Sequence, residues 1–293
     1  MSTAAQMIDW TLLQLSGYSV QQDQSTPLTA NINASATTIS VQDASQLSRG
    51  LAEIESEIIF VESVDTAGNT ATVVRGYRST TATSHTAPAR VVASPLFFRA
   101  SVFQALNETI QAVYPDLYGL TATTLTTNGA QTTFPLPSGA MNALDVKWRN
   151  VGPTQEWSNV RRWSVDNAAN TTTFPTGSSI SLWDYIPSGR TVQVLYTKIP
   201  TTFAAETDLF STTGLPASCE DVIRLGAMWR LSAVLDSPRV AGQSAEAGFA
   251  ANMHQIGGAS TVSRFFLQQY QLRLQEEAAR LNSQNPVRVH FTA

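Results

Sequence analysis

Two hydrophobic periods alternate along the chain. Met7, Ile8, Leu12 and Leu15 recur at helical spacing and predict a first helix over Ala4 to Leu15, ended by Gly17 and a polar stretch. From Leu28 to Val92 the period drops to two and turn signals become frequent. Glu57 to Glu62 reads as a hydrophobic strand, Thr70 to Val74 as its partner, and the Ala67-Gly68-Asn69 run between them as a hairpin loop. Ala89 to Ala93 closes a small β-barrel or sandwich. Helical spacing then returns, with Ser94 as N-cap, Pro95 at the first helical position, and a stripe of Phe103, Leu106, Ile110 and Val113 before Pro115.

Gly119 to Pro200 is a second β region, rich in Thr and aromatics. Its turn signals are Asn128-Gly129, Pro137-Ser138-Gly139, Gly152-Pro153, Thr176-Gly177 and Pro187-Ser188-Gly189. A sandwich or jelly-roll-like sheet pair is the expected outcome. The remainder reads as helices. Ser218 and Asp221 form a capping pattern, a small-residue helix follows over about 240–256, and a long helix runs from about Thr261 to Asn282.

These segments predict an α+β protein: a helical bundle body with a small inserted β-barrel, a second β-sandwich-like region, a long C-terminal helix and an extended C-terminal tail. The expected division is an N-terminal helix in 1–26, an inserted β domain in 27–93 and a body helix in 94–118. A second β domain in 119–200, C-terminal helices in 201–285 and the tail 286–293 complete it.

The long helix carries two apolar seams. Leu267, Tyr270, Leu274 and Leu281 follow one; Phe265, Leu272 and Ala279, spaced by seven, follow another on a different face. Two seams require two packing partners. One is the helix's own chain; the second is either another helix of that chain or a neighbouring subunit, which makes Phe265, Leu272 and Ala279 the candidate subunit interface. The tail Pro286, Val287, Arg288, Val289, His290, Phe291, Thr292 and Ala293 alternates apolar and polar residues. It suits either addition to another protein's sheet edge or docking on its own sheet.

Composition changes this picture in two ways. Charged residues make up only 14% of the chain, against roughly 25% in an average soluble domain, while the hydrophobic fraction of 43% is that of a folded protein. A surface of Ser, Thr, Gln and Asn suits a chain that meets many copies of itself or works outside the cytosol. A net charge of −4 gives no basic domain, so tight nucleic-acid binding is not expected. No apolar run reaches the ~20 residues of a membrane span, and Met1 to Gln6 lack a signal-peptide pattern, so folding in a cytoplasm is expected.

The candidate chemistry is thin. A single cysteine, Cys219, excludes an internal disulfide and reads as a small buried hydrophobe. His85, His254 and His290 have no ligand spacing, so no metal or cofactor is expected. Ser84-His85 are chain neighbours without a nucleophile elbow. Glu53, Glu55, Glu57 and Glu62 are candidates for a glycosidase carboxylate cluster, but the first three, spaced by two, read as a solvated strand face. The segment Trp148 to Trp163, with Arg149, Arg161 and Arg162, is read as a sandwich with inward tryptophans and rim arginines, against a sugar- or nucleic-acid-binding face.

Two motifs carry a resemblance. Glu57-Ile58-Ile59-Phe60-Val61, then Arg75-Gly76 through Ser79-Thr80-Thr81-Ala82 to His85, looks like a small β module of tailed-phage virion proteins. Asn107-Glu108 through Tyr114-Pro115-Asp116-Leu117 is similar to a stretch of phage head–tail connector (neck or adaptor) proteins. The resemblance implies a non-enzymatic structural virion protein at the head–tail junction, assembled in the host cytoplasm. It implies a ring of about twelve subunits that binds the portal protein on one side and tail or further neck proteins on the other. Genomic DNA would pass through the lumen without sequence-specific binding, and Pro286 to Ala293 would dock on the portal. A minor tail or baseplate protein contacting the host surface, and a tail-associated polysaccharide-degrading enzyme, remain as alternatives.

Overall fold

The structure, a computed structural model, describes residues 2–17, 23–129, 131–151, 155–232 and 258–286. Helix α1 spans Ala4–Ser16 and buries Met7, Ile8, Thr11 and Leu15. The period-two segment that follows gives β1 (Gln24–Pro27), β2 (Thr38–Ser40), β3 (Gly50–Ile54), β4 (Glu57–Asp65), β5 (Thr70–Val74) and β6 (Arg90–Ala93). They pair in the order β1-β6-β3-β4-β5-β2. The two end strands meet at a bridge between Leu28 and Val41, which curls the sheet into a half-barrel. Its inner face carries Ile39, Ile54, Ile59, Val61, Val73 and Val91 as one apolar cluster. At the β4–β5 turn, Asp65 Oδ1 accepts the backbone N–H groups of Ala67 and Gly68 at 3.0 and 3.2 Å, and Asn69 supplies the left-handed residue with φ 49°.

Helix α2 spans Arg99–Ala112 and starts later than the sequence predicts. Ser94 takes a φ of 45° instead of an N-cap conformation. The first turn of α2 is satisfied from elsewhere in the chain: the Arg99 N–H donates to Glu53 Oε1 of β3 at 2.6 Å. A carboxylate at a helix N-terminus meets unsatisfied N–H groups and the positive end of the dipole.

The second β region supplies β7 (Gly119–Thr126), β8 (Thr133–Pro135), β9 (Ala140–Arg149), β10 (Trp157–Asn159), β11 (Trp163–Asp166), β12 (Ser179–Leu182) and β13 (Thr191–Lys198). One sheet has the order β10-β9-β13-β7 and the other β11-β12-β8, with neighbours antiparallel. Val146, Val192 and Val194 from the first sheet share a core with Phe134, Trp163, Ile180 and Leu182 from the second. Opposed inner faces of this kind make a sandwich. Helix α3 occupies 220–232, and α4 spans Gly258–Gln284.

The helical bundle body expected from the sequence is not what forms. Among the described residues thirteen strands stand against four α-helices, and two apolar clusters are built from strand side chains, so the protein is α+β with β dominant. The helical segments at 4–15, 94–118 and 261–282 do overlap α1, α2 and α4, but helical period alone does not reveal how many strands lie between them. The chain divides into two compact units, Ala4–Glu108 with Arg224–Leu267, and Met1–Thr3 with Thr109–Ile223 and Gln268–Ala293. The small-residue segment at about 240–256, with His254, lies outside the described residues.

Candidate functional site

Glu57, first residue of β4, is 1% exposed. A buried carboxylate survives only if its lone pairs are filled, and here five donors converge on it. Arg75 clamps it with two bonds, Nε to Oε1 at 2.8 Å and Nη2 to Oε2 at 2.7 Å. The backbone N–H groups of Gly76 and Thr83 add bonds of 2.8 and 3.1 Å. His85, 2% exposed, places Nε2 2.9 Å from Glu57 and Nδ1 2.8 Å from Glu55. Burial alone would push the Glu57 carboxyl up; the bonds from Arg75, His85, Thr83 and Gly76 outweigh it and hold the group down at about 2.

This cluster accounts for the Arg-Gly-…-Thr-…-His motif residue by residue. Gly76 sits at φ 59°, and a Cβ there would lie 3.0 Å from the Thr80 carbonyl and 3.1 Å from the Ala82 nitrogen. Thr80 Oγ1 accepts the Ile58 N–H at 3.1 Å and donates to the Tyr77 carbonyl at 2.8 Å. The motif is a staple that ties the loop after β5 back to the start of β4. It leaves no spare valence for acid–base work, since Glu57 is consumed by its donors.

The sequence reading of Glu53, Glu55 and Glu57 as one solvated face is therefore wrong. Ile54 pairs with Glu57 across a two-residue turn, Glu55-Ser56, with Glu55 at φ 54°, so the three glutamates do not share a strand. Glu53 and Glu57 are buried, while the Glu55 side chain is 63% exposed. The apolar residues on either side, Ile54 and Ile58-Ile59, were the available signal for a hairpin.

The second motif also has a structural role. Val113 and Leu117 are fully buried, the Tyr114–Pro115 peptide is cis, and Tyr118 is 8% exposed with its hydroxyl donating to Asn282 Oδ1 of α4 at 3.3 Å. A cleft of about 390 Å³ lies beside this segment, between Tyr114, Tyr118, Asn142, Trp163, Thr197 and Asn282.

Helix α4 divides its faces. Phe266, Tyr270 and Leu281 are buried, and so is Glu277, which is held by Arg280 at 2.8 Å, Arg273 at 3.3 Å and the Ser218 hydroxyl at 2.8 Å. Ser218 thus serves α4 rather than capping α3. Cys219 is buried, and burial, reinforced by Glu277, pushes its thiol up to about 11, which removes it as a nucleophile. On another face, Phe265 and Leu272 are 47% and 52% exposed, and Ala279 is exposed as well. The three candidate interface residues lie together at seven-residue spacing. Of the candidate tail, Pro286 is exposed and 287–293 lie outside the described residues.

The tryptophans of the Trp148–Trp163 segment split. Trp163 is buried and Trp148 packs against the same core, whereas Trp157 is 42% exposed with the Arg149 guanidinium 6.0 Å from its ring centre. Trp183 and Tyr185, 64% and 87% exposed, had not been singled out in the sequence; as exposed aromatics in a strand-like apolar run, nothing in their spacing marks them as surface residues. Among the described residues no group of carboxylates, histidines and cysteines has the arrangement of a metal site, and no helix is long and apolar enough to cross a membrane.

No curated protein matches the chain. A family model does: the model described as SU10 adaptor protein matches residues 85–289, more than half of the chain. The match begins at His85, the last member of the buried cluster, and takes in α2, the sandwich, α3 and α4. With buried carboxylates committed to structure and a match running through both β sandwich and long helix, the chain belongs to the SU10 adaptor protein family, the structural adaptors of a phage particle.

Proposed function

We propose that the protein is a ring-forming head–tail adaptor that joins the portal to the tail and lines part of the DNA conduit. The observation that carries the reading is the exposed seam of α4. A helix that already buries Phe266, Tyr270 and Leu281 keeps Phe265 and Leu272 about half exposed at seven-residue spacing. Large apolar side chains aligned on one exposed helix face are the usual mark of a packing partner. A ring, the product of a head-to-tail contact whose rotation closes, supplies that partner at every position without leaving an unsatisfied copy. The low charge of the chain, 14% charged residues with a net charge of −4, suits close contact among copies and a lumen past which DNA slides without sticking.

In this reading Pro286 to Ala293 dock on the portal, and the ring holds about twelve copies to match it. The test is assembly with purified portal protein. Native mass measurement should find a closed complex of about twelve chains on the portal, and a chain shortened after Asn285 should fold but bind the portal more weakly. A chain that stays monomeric beside the portal refutes the ring, and unchanged docking of the shortened chain refutes the tail as anchor.

A further inference from the structure

The segments that follow β7, follow β9 and precede β13 meet at one end of the domain. Thr127 ties two of them together: its hydroxyl donates to the Pro187 carbonyl at 2.7 Å, its N–H donates to the Arg190 carbonyl at 2.9 Å, and its carbonyl accepts the Gly189 N–H at 2.6 Å. Beside this tie opens a cleft of about 310 Å³, lined by Arg149, Val151, Gln155, Arg190 and Thr191 among others. The Nε of Arg190 is buried and has no hydrogen-bond partner. Arg149 bonds the Gln155 side-chain oxygen and lies near the Trp157 ring, and among the described residues no carboxylate pairs with either guanidinium. Two exposed apolar side chains stand nearby: Val151, 78% exposed, in the lining, and Trp157, 42% exposed, beside Arg149.

We infer that this cleft is a carboxylate-binding site that receives an acidic segment of a protein partner. Arg149 and Arg190 both line the cleft and neither is paired with a carboxylate among the described residues, so the reachable N–H groups of their planar forks can take one by charge-assisted bonds. Two arginines left without anions on a chain of net charge −4 mark the local sign as opposite to that of the whole molecule. That local inversion steers a short acidic group to the cleft, while a long polyanion meets repulsion from the rest of the surface. Two cations neutralise too few phosphates to hold a nucleic acid. The exposed Val151 and Trp157 match apolar side chains flanking an acidic one, the combination of aromatic and arginine at which protein contacts concentrate their energy. An acidic sugar would set its hydroxyls against these apolar side chains. The site lies within one chain and needs no neighbouring copy, so it stands or falls independently of ring assembly.

The test uses the full chain and a ten-residue peptide of alternating Glu and Leu, with calorimetric titration at low salt. Three comparison ligands share the format: the same peptide with Gln for Glu, an oligogalacturonate of equal charge, and a thymidine oligonucleotide of equal charge. The Glu peptide should bind and the Gln peptide should not. Arg190→Met should weaken binding at least about tenfold, the loss expected for one charge-assisted bond. Arg149→Gln, at an exposed position where folding is not at stake, should weaken it as well, with far-UV circular dichroism unchanged. The inference is overturned by no binding of the Glu peptide, by equal binding of the Gln peptide, or by undiminished binding to Arg149→Gln. It is overturned equally if the oligogalacturonate or the oligonucleotide binds as tightly.

Discussion

The half-barrel of residues 24–93 and the sandwich of residues 119–198 both enclose an apolar core, yet only the first adds charge to its interior. Glu53, Glu57 and His85 are buried in the half-barrel, whereas no charged residue of 119–198 falls in the buried class among the described residues. The difference follows from sheet closure. A half-barrel of short strands has loops that must be fastened across its mouth, and the Glu57–Arg75–His85 cluster does this with directional bonds. The sandwich buries two opposed faces against each other and is held by side-chain volume. Directional bonds demand particular residues at particular places, so the half-barrel carries a motif. Volume can be filled in many ways, so the sandwich carries none.

The largest effect should come from removing the centre of the cluster. Glu57→Ala leaves Arg75 and His85 buried without their partner and should destabilise the half-barrel by about 3–5 kcal/mol, the cost of breaking a buried pair from one side. Hydrogen exchange should show the loss confined to β3–β6, with the sandwich still protected. Uniform loss of protection would refute the independence of the two regions.

Acid should separate the regions next. The folded-state pKa of Glu57, about 2, lies below its ordinary value of 4.5, so the native state favours the carboxylate more than the unfolded chain does. The resulting stabilisation, on the order of 3 kcal/mol, is whole above about pH 4.5 and is lost as the pH falls toward 2. Denaturation followed through half-barrel signals should weaken across that window, and the Glu57→Gln variant should lack the dependence. A smaller change is expected from Ile180→Val in the sandwich, about 0.5–1.5 kcal/mol by loss of one methylene, with no dependence on pH in that window.

How much of this was legible in the residues follows the same division. Strand and helix periods showed where β segments and helices lie, and the turn residues around Asp65 and Asn69 did what their chemistry dictates. The Arg75-to-His85 motif was visible, but not its purpose, because Glu57 reaches Arg75, Thr83 and His85 across the strand pairing rather than along the chain. Glu53 illustrates the same obstacle: its role at the start of α2 depends on a contact 46 residues away. The helical body was misjudged because periodicity reports which face of a helix is apolar and not how many strands the rest of the chain forms. The cleft between Arg149 and Arg190 has no local signature, since Arg149 ends β9 and Arg190 precedes β13, and the two meet only when β9 pairs with β13.

The α4 seam is the feature on which the adaptor reading depends most directly. Leu272 is 52% exposed, so Leu272→Asp should change the stability of the single chain by less than about 0.5 kcal/mol, as a surface substitution does. Native mass measurement of the purified chain with its portal should give a closed multimer of the natural protein and dispersed, folded monomers of Leu272→Asp. A multimer that survives Leu272→Asp, or a variant chain that no longer folds, would contradict the account.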